Sequence, residues 1–515
     1  MVLTRIGGRC VIRRFEPTTR DECVAVDLTT LVNRATAGRS LESDQLFRPS
    51  WLYFMEQDPF WIWCHYHAPE AEQVDETTRF DKYRMQQGNE WEDRYVAINY
   101  PSAYRIKAHW GEETLQETIA AMLRGESAIH NAALWLLGED VYGKADVLVR
   151  CNDHPSDLGD FHYRVKEVKN SKEVKEYHQL QAAVYHWILS TLQGYCPASF
   201  DVVLREGDGE SSIPFADISP QMEYQLAEWR AIRDGKRQLQ PIAYGSTVSP
   251  WRQFVNRLIG ERCDISLLPN VGPKTAPKLR ALGYPSWKDV LSCGREASVA
   301  KFGSDDRYYH ALARQQNCPV FRPGETAAIQ RRERIVHFDV EDILITDPPT
   351  VARPHIYMIG VAVPDGTTHI WTARGEDDEA RMWTDFLDWL GDPSDVTLYC
   401  WADYEFGKLD QATADHPDLA DRLMAAKSAL IDLKEEIKGR PFFPVKNYSI
   451  KSVAPVCGFN WSQADVDGLS AQLMYLDWLK TGDDSIIKKV EQYNREDVLA
   501  MLAVDQYVCA LPTGK

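Results

Sequence analysis

The chain has 515 residues, 44% of them hydrophobic, and a formal net charge of −18, so it exceeds what one hydrophobic core sustains and several domains are expected. It lacks both a signal-like apolar leader and any run near the ~20 apolar residues that span a bilayer, which predicts a soluble, cytoplasmic protein without a membrane partner. The 11 cysteines are scattered singly, which argues against a disulfide framework or zinc ribbon, and the acidic balance argues against indiscriminate phosphate binding while leaving room for carboxylate-held cations.

Residues 1–49 read as an N-terminal segment without an assigned role, holding a strand or two. The aromatic stretch from Trp51 to Trp63 offers rings on which bases could stack, but rings at helical spacing fit a core better. An amphipathic pattern over 112–124 predicts a helix. Strand-like runs follow at 128–137, 141–150 and 161–169, then a long helix at 172–192 and a strand at 200–204, giving the order α-β-β-β-α-β.

Strand alternation in Tyr163-Arg-Val-Lys-Glu-Val-Lys169 puts Glu167 and Lys169 on one face. Asp146 adjoins the apolar run Val147-Leu-Val149, where an ionised side chain is costly unless paired or metal-bound. Two acids on neighbouring strands can hold Mg²⁺ or Mn²⁺, and a nearby lysine can orient or help deprotonate the attacking water. Gln181 and Tyr185, four residues apart, share one helix face. Gly138 to Lys144 is one residue short of a phosphate-binding P-loop, has Ala145 where a hydroxyl should reach Mg²⁺, and runs into a strand; no nucleotide cofactor is predicted. Cys151 and His154 have ligand-like spacing but lack two further ligands.

The pattern changes near 244–250 and again near 320–330, which places domain boundaries there. Between them, Leu268-Pro-Asn-Val-Gly-Pro-Lys274 reads as a turn between short helices. Gly272 would take the turn, the next helix would present free N–H groups to a phosphate, and Lys274 and Lys278 would add charge. A packing module joining two domains fits the same residues. From residue 334 on, strands at 334–341, 355–363 and 368–372 precede helices at 380–390, 406–415 and 485–507. Asp339 and Glu341 share a face at the end of the first strand, and acids that close repel unless cations lie between them. Tyr493 and Asp497 lie one helical turn apart.

Singly, E-x-K is also a surface ion pair and Q-x-x-x-Y a polar stripe. In the order G-x-x-D (Gly143 to Asp146), E-x-K (Glu167 to Lys169), Q-x-x-x-Y (Gln181 to Tyr185), they resemble the RecB-like branch of the PD-(D/E)XK nucleases over residues 50–245. The resemblance implies Asp146 and Glu167 as metal ligands, Lys169 as catalytic lysine, and Gln181 and Tyr185 as supporting residues. Gly88-Asn-Glu-Trp-Glu92 matches the family's first-helix pattern and points to Glu92 as a further ligand, with Glu90 the alternative. Many relatives bind an iron–sulfur cluster through one upstream cysteine and a trio after the Q-x-x-x-Y helix; here only Cys196 and then Cys263 follow that helix, so no cluster is predicted. Residues 246–328 resemble a helical linker with a helix-hairpin-helix. Residues 329–515 resemble the tyrosine variant of the DEDD exonucleases, an RNase H-like family. That resemblance implies Asp339, Glu341 and Asp497 as ligands, Tyr493 as the water-orienting hydroxyl, and a middle acid at Asp403 or Glu405. The Tyr-Glu form of some members favours Glu405. Asp432-Leu433 and Asn447 to Lys451 are further landmarks.

The whole is similar to a family of RecB-like nucleases that join these modules in one chain, and some members are fused to a helicase. It implies a multidomain α/β nuclease of DNA, single-stranded or end-bearing, in repair, recombination or defence, using Mg²⁺ or Mn²⁺ at two sites and partnering nucleic acid and a helicase. Two alternatives stay open: one active site with the other domain a binding platform, or a non-catalytic adaptor for a helicase.

Overall fold

In the computed structural model, which describes residues 2–6, 9–13, 26–41, 45–109, 111–205, 209–327, 329–347, 350–463 and 466–511, the strand patterns build two mixed sheets, each inside its own unit. One unit comprises residues 1–75, 82–241 and 247–252; the other comprises 76–81, 242–246 and 253–515.

The first unit begins with an antiparallel hairpin of β1 (Val2–Ile6) and β2 (Arg9–Arg13). Helix α1 (Leu28–Thr36) starts where Asp27 accepts the Thr30 N–H at 2.8 Å, a side-chain cap on an otherwise orphaned donor. Helices α2 (Leu52–Gln57) and α3 (Pro59–His67) carry most of the aromatic stretch, and its rings are largely core: Trp51, Phe60 and Trp61 are buried and Phe54 stacks on Trp61 at 3.9 Å, while Tyr53 is exposed. Helix α4 (Arg79–Asn99), β3 (Tyr104–Arg105) and α5 (Glu112–Leu123) precede a meander of β4 (Ala128–Leu136), β5 (Val141–Cys151) and β6 (His162–Lys169). Helix α6 (Glu176–Gln193) is the crossover that lets β7 (Ser199–Leu204) pair parallel with β6. Strand β8 (Glu210–Pro214) and helix α7 (Phe215–Arg233) close the unit. The sheet order is β3-β4-β5-β6-β7-β8. Gln181 of α6 reaches Glu167 on one face of the sheet. Val96 of α4 packs with Ala128, Val147, Val168 and Val203, and the strand period puts Val168 on the face opposite Glu167.

The second unit starts with α8 (Arg252–Glu261), followed by α9 (Ala276–Ala281), α10 (Trp287–Cys293), α11 (Arg295–Phe302) and α12 (Asp306–Gln316), and these last four supply residues to a core around Ile265, Leu268, Val271, Leu279 and Val290. Strands β9 (Arg334–Ile343), β10 (His355–Ala362) and β11 (Thr368–Thr372) are antiparallel. Then come α13 (Glu379–Leu390), β12 (Val396–Cys400), α14 (Tyr404–Asp415), α15 (Ala420–Ser428), β13 (Leu430–Asp432), α16 (Leu433–Ile437), α17 (Ile450–Val453), α18 (Gly468–Thr481) and α19 (Asp484–Ala510). The sheet order is β11-β10-β9-β12-β13, with β12 and β13 parallel to β9.

Alternation along β9 sends Val336, Phe338 and Val340 into a core with Trp383, Phe386 and Leu390 of α13. The opposite face carries His337, Asp339 and Glu341, next to a core in which Tyr399 packs with Val498, Met501 and Leu502 of α19. The half-buried Lys446 donates to the carbonyls of Leu268 (3.1 Å) and Val271 (2.8 Å), so the helical module and the strand-led module form one unit. Among the described residues no helix is long and apolar enough to cross a membrane.

Candidate active sites

The strand β9 does not end at its D-x-E, as the apolar run suggests, but continues to Ile343, because β10 absorbs a bulge near Tyr357 and keeps pairing. On its other edge β9 pairs with β12 only from Arg334 to His337. β12 ends one residue later, at Cys400, and Asp339 and Glu341 lie on the part of β9 beyond that pairing.

Asp339, Glu341 and Asp497 each offer a carboxylate oxygen, all within 4.8 Å of one another. Glu405, near the start of α14, is buried, and its Oε2 has no hydrogen-bond partner; Asp403 is exposed. The chain reaches α14 through Ala402, which holds the left-handed conformation at φ 86°, uncommon for a residue with a Cβ. Two like charges 4.8 Å apart repel by about 3 kcal/mol at an effective dielectric of ~20. Burial and then mutual repulsion accordingly push Asp339 and Glu341 well above the usual carboxylate range. Burial pushes Glu405 up to about 8 and also raises Asp497. Hard oxygen donors crowded without enough protein cations fit a divalent ion of the Mg²⁺ or Mn²⁺ class.

Several residues that the sequence reading did not single out as functional position this cluster. Asn494, fully buried on α19, donates to Asp339 Oδ2 at 2.6 Å. It has room because Gly360 faces Asp339 across β10 and β9; a methyl there would overlap Asn494 Oδ1 and stand 2.9 Å from its Cγ. Asp497 Oδ1 accepts from Lys451 Nζ at 2.9 Å and Trp461 Nε1 at 2.6 Å, and the ammonium lies 4.4 Å from the centre of the Tyr493 ring. Burial and then the Asp497 carboxylate hold the Tyr493 hydroxyl far above its ordinary range, so it stays protonated. Lys451 belongs to the Asn447 to Lys451 landmark; Trp461 and Asn494 carry no sequence signal beyond their residue type. Asp432 caps α16 through the N–H groups of Lys434 and Glu435 and also accepts from Ala402 N at 3.0 Å.

In the first unit, β6 and α6 bring Glu167, Lys169 and Gln181 together. Glu167 Oε1 accepts from Lys169 Nζ and from Gln181 Nε2, both at 2.8 Å, while its buried Oε2 has no partner. Asp146 accepts the Val168 N–H at 2.7 Å and lies 3.9 Å from the Lys169 ammonium. Burial and then Glu167 push Asp146 well above the carboxylate range, and burial raises Glu167. Burial works against the Lys169 charge, but Glu167 and Asp146 outweigh it and raise the ammonium's pKa. The Tyr185 ring passes over Gly143, where a Cβ would stand 2.7 Å from Cε1. Glu92 is bonded instead with His130 Nε2 at 2.8 Å, and its charge acts on Asp146 and Lys169; Glu90 is exposed and bonded to Gln86 and Gln87. Glu92, Asp146 and Glu167 do not close to the 4.8 Å spacing seen around Asp339.

The other sequence candidates fall elsewhere. Lys274 and Lys278 are exposed on the helical module. The hairpin's left-handed residue is Asn270 (φ 60°) rather than Gly272. The Gly272 carbonyl accepts the N–H groups of Thr275 (3.0 Å) and Ala276 (2.9 Å), so those two donors are not free for a phosphate: Thr275 is already helical, and the turn closes early. His154 stacks on Tyr195; His162, not His154, stands with Cys151 and Asp153.

Residues 336–509 match a family model of the RNase_H superfamily, RNase_H_2. Among solved structures, the family B DNA polymerase from the hyperthermophilic archaeon Pyrobaculum calidifontis is similar to this chain at 18% identity and a TM-score of 0.26. The likeness covers 43% of this chain and 34% of the polymerase chain, about a third of its length. No curated protein matches the chain.

Proposed function

We propose that the chain is a metal-dependent nuclease whose C-terminal centre, in the region matched by the RNase_H superfamily model, hydrolyses phosphodiester bonds. One observation carries this reading: Asp339, Glu341 and Asp497 hold ligating oxygens within 4.8 Å of one another, beside the buried Glu405 and a protonated tyrosine. Asp339, Glu341, Glu405 and Asp497 would hold Mg²⁺ or Mn²⁺. When bound, the ions neutralise charge on the phosphate and lower the pKa of the attacking water.

The chain's own groups do the rest. Lys451 and Trp461 fix the Asp497 carboxylate, and Asn494 fixes that of Asp339. The Tyr493 hydroxyl can donate to the attacking water and orient it. In the resembled exonucleases this centre trims 3′ ends, and the same polarity on DNA is proposed here.

Residues 50–245 are proposed as a second, RecB-like PD-(D/E)XK nuclease domain, after an N-terminal segment over 1–49. In it Glu92, Asp146 and Glu167 would hold the ion, Lys169 would act on the water, and Gln181 and Tyr185 would support them. Residues 246–328 would form the helix-hairpin-helix linker and 329–515 the exonuclease domain. A second reading, in which only the C-terminal centre cuts and the first unit binds, draws on the wider spacing of the Glu92, Asp146 and Glu167 carboxylates.

The test is incubation of the purified full chain with end-labelled single- and double-stranded DNA and RNA, with Mg²⁺, Mn²⁺ or EDTA. Wild type is compared with Lys169→Ala, Asp339→Ala and the double variant. Two centres predict that each single variant loses a different product ladder and the double variant is inert. Loss of all cleavage in Asp339→Ala alone supports the second reading. If wild type leaves every substrate intact, the nuclease reading fails.

A further inference from the structure

A cavity of about 1070 Å³ opens within the second unit, between the helical module and the strand-led module. Its helical wall includes the hairpin residues Pro269 and Asn270 with Phe302, Arg307 and Arg322; its other wall includes Trp401, Lys434, Lys438, Arg440 and Ile450. Five cations line it against two acids, Asp306 and Glu435, on a chain whose net charge is −18. Arg322 is paired with Asp305 and Asp306, and Lys438 with Glu435. Arg307, Lys434 and Arg440 form no ion pair among the described residues. The Arg307 guanidinium lies 4.8 Å from the centre of the Phe302 ring, and its Nε is buried without a hydrogen-bond partner. A buried guanidinium nitrogen left unsatisfied is costly, and an incoming acceptor would relieve that cost.

None of the four carboxylates lines the cavity, but lining residues adjoin the cluster along the chain. Trp401 and Ala402 lie on the turn that leads to Glu405, and Ile450 precedes Lys451, whose Nζ donates to Asp497. Asp432 ties the two sides together, because its Oδ1 accepts from Ala402 N and from the N–H of Lys434 in the first turn of α16. The Trp401 ring is fixed by its Nε1, which donates to the Tyr448 carbonyl at 3.0 Å. Unpaired cations beside a fixed aromatic ring are the two elements of single-strand recognition, phosphate neutralisation and base stacking.

We infer that this cavity is the track of the nucleic-acid strand entering the Asp339 centre, with phosphates held by Arg307, Lys434 and Arg440 and a base stacked on Trp401. The inference rests on reading that centre as a nuclease. It moves the nucleic-acid contact of the helical module from Lys274 and Lys278 to the opposed walls of this cavity.

The test measures binding of a 5′-fluorescein single-stranded DNA, and of a duplex of the same sequence, by anisotropy in EDTA over a salt series, for the wild-type full chain and Lys434→Glu/Arg440→Glu. Cleavage of the single strand is measured in Mg²⁺. Lys489→Glu, an exposed charge reversal on α19, is the control, and Lys434→Gln/Arg440→Gln replaces the reversal if it does not fold. Two lost phosphate contacts predict single-strand affinity lower by about tenfold or more and a salt slope shallower by about 1.4, with KM rising more than kcat falls. Wild-type affinity and slope in the double variant, while wild type binds and cleaves, overturn the track and leave the nuclease reading intact. A wild type that binds but never cleaves removes the nuclease reading, while the salt slope still decides whether the cavity holds the strand. Loss confined to the duplex also overturns the inference.

Discussion

Replacing Gly360 with alanine tests whether the Asp339 carboxylate is positioned from behind by Asn494. The methyl group would overlap Asn494 Oδ1, stand 2.9 Å from its Cγ and 3.1 Å from Ile370 Cδ1. Asn494 is fully buried, and its Oδ1 has no hydrogen-bond partner to guide it into another pose. It must therefore swing away from Asp339, and the 2.6 Å bond from its Nδ2 is lost. A hydrogen bond to a charged group contributes about 1.5–3 kcal/mol, which as lost ion or transition-state binding is roughly a 10- to 100-fold fall in rate. The assay is the initial rate of digestion of a 5′-labelled single strand across a Mg²⁺ titration, for Gly360→Ala, Asn494→Ala and the pair. Alanine at 494 leaves space for the methyl, so the pair should be no slower than Asn494→Ala alone, a strongly non-additive cycle. Rate losses that multiply in the pair would refute the reasoning, because Gly360 would then act through something other than Asn494.

Two further outcomes follow from the same geometry. Mn²⁺ should stabilise the full chain against unfolding by about 2.7 kcal/mol at a hundred times its Kd, while Asp339→Asn should raise the metal-free midpoint, because one repelling carboxylate is gone, and blunt the Mn²⁺ response; a metal-free midpoint lowered by Asp339→Asn contradicts this. Burial holds His186 at about 3, below its ordinary 6.5, so the unfolded chain binds more protons between those values. Its stabilising share is full above pH 6.5 and falls with pH, by about 3 kcal/mol at pH 4. His186→Phe should flatten that acid limb in denaturant titrations at several pH values, and an unchanged limb rules the residue out as its source.

What could be read in advance follows from which signals are local. The alternation in 163–169 and the D-x-E at Asp339 and Glu341 need only a strand to put their acids on one face, and both lie on strands. Helix α7 was not legible because Pro220, a helix breaker by local rules, sits inside it. Helix α18 was missed for a different reason: Leu473, Met474, Tyr475 and Leu476 are consecutive and all buried, which leaves no amphipathic period to detect. The choice between Asp403 and Glu405 depends on where α14 begins after the left-handed Ala402, a backbone event no spacing encodes. The cavity between the modules joins residues more than a hundred positions apart, such as Arg307 and Arg440, and no window on the sequence pairs them.

The two carboxylate clusters share one construction and differ in how their charge is balanced. In each, a strand glycine clears space for a side chain from a crossing helix: Gly143 for Tyr185 of α6, Gly360 for Asn494 of α19. In each, that helix sends a donor to an acid on the neighbouring strand, Gln181 to Glu167 and Asn494 to Asp339. Balance differs because Lys169 stands inside the first cluster, 2.8 Å from Glu167 and 3.9 Å from Asp146, whereas Lys451 touches only the outer acid of the second, Asp497. A protein ammonium already meets part of the demand at the first centre, and burial leaves Asp339 and Glu341 to be met by protons or by a divalent ion at the second. The second centre should therefore show the larger stabilisation by Mn²⁺, a comparison that Asp146→Asn and Asp339→Asn make within one chain.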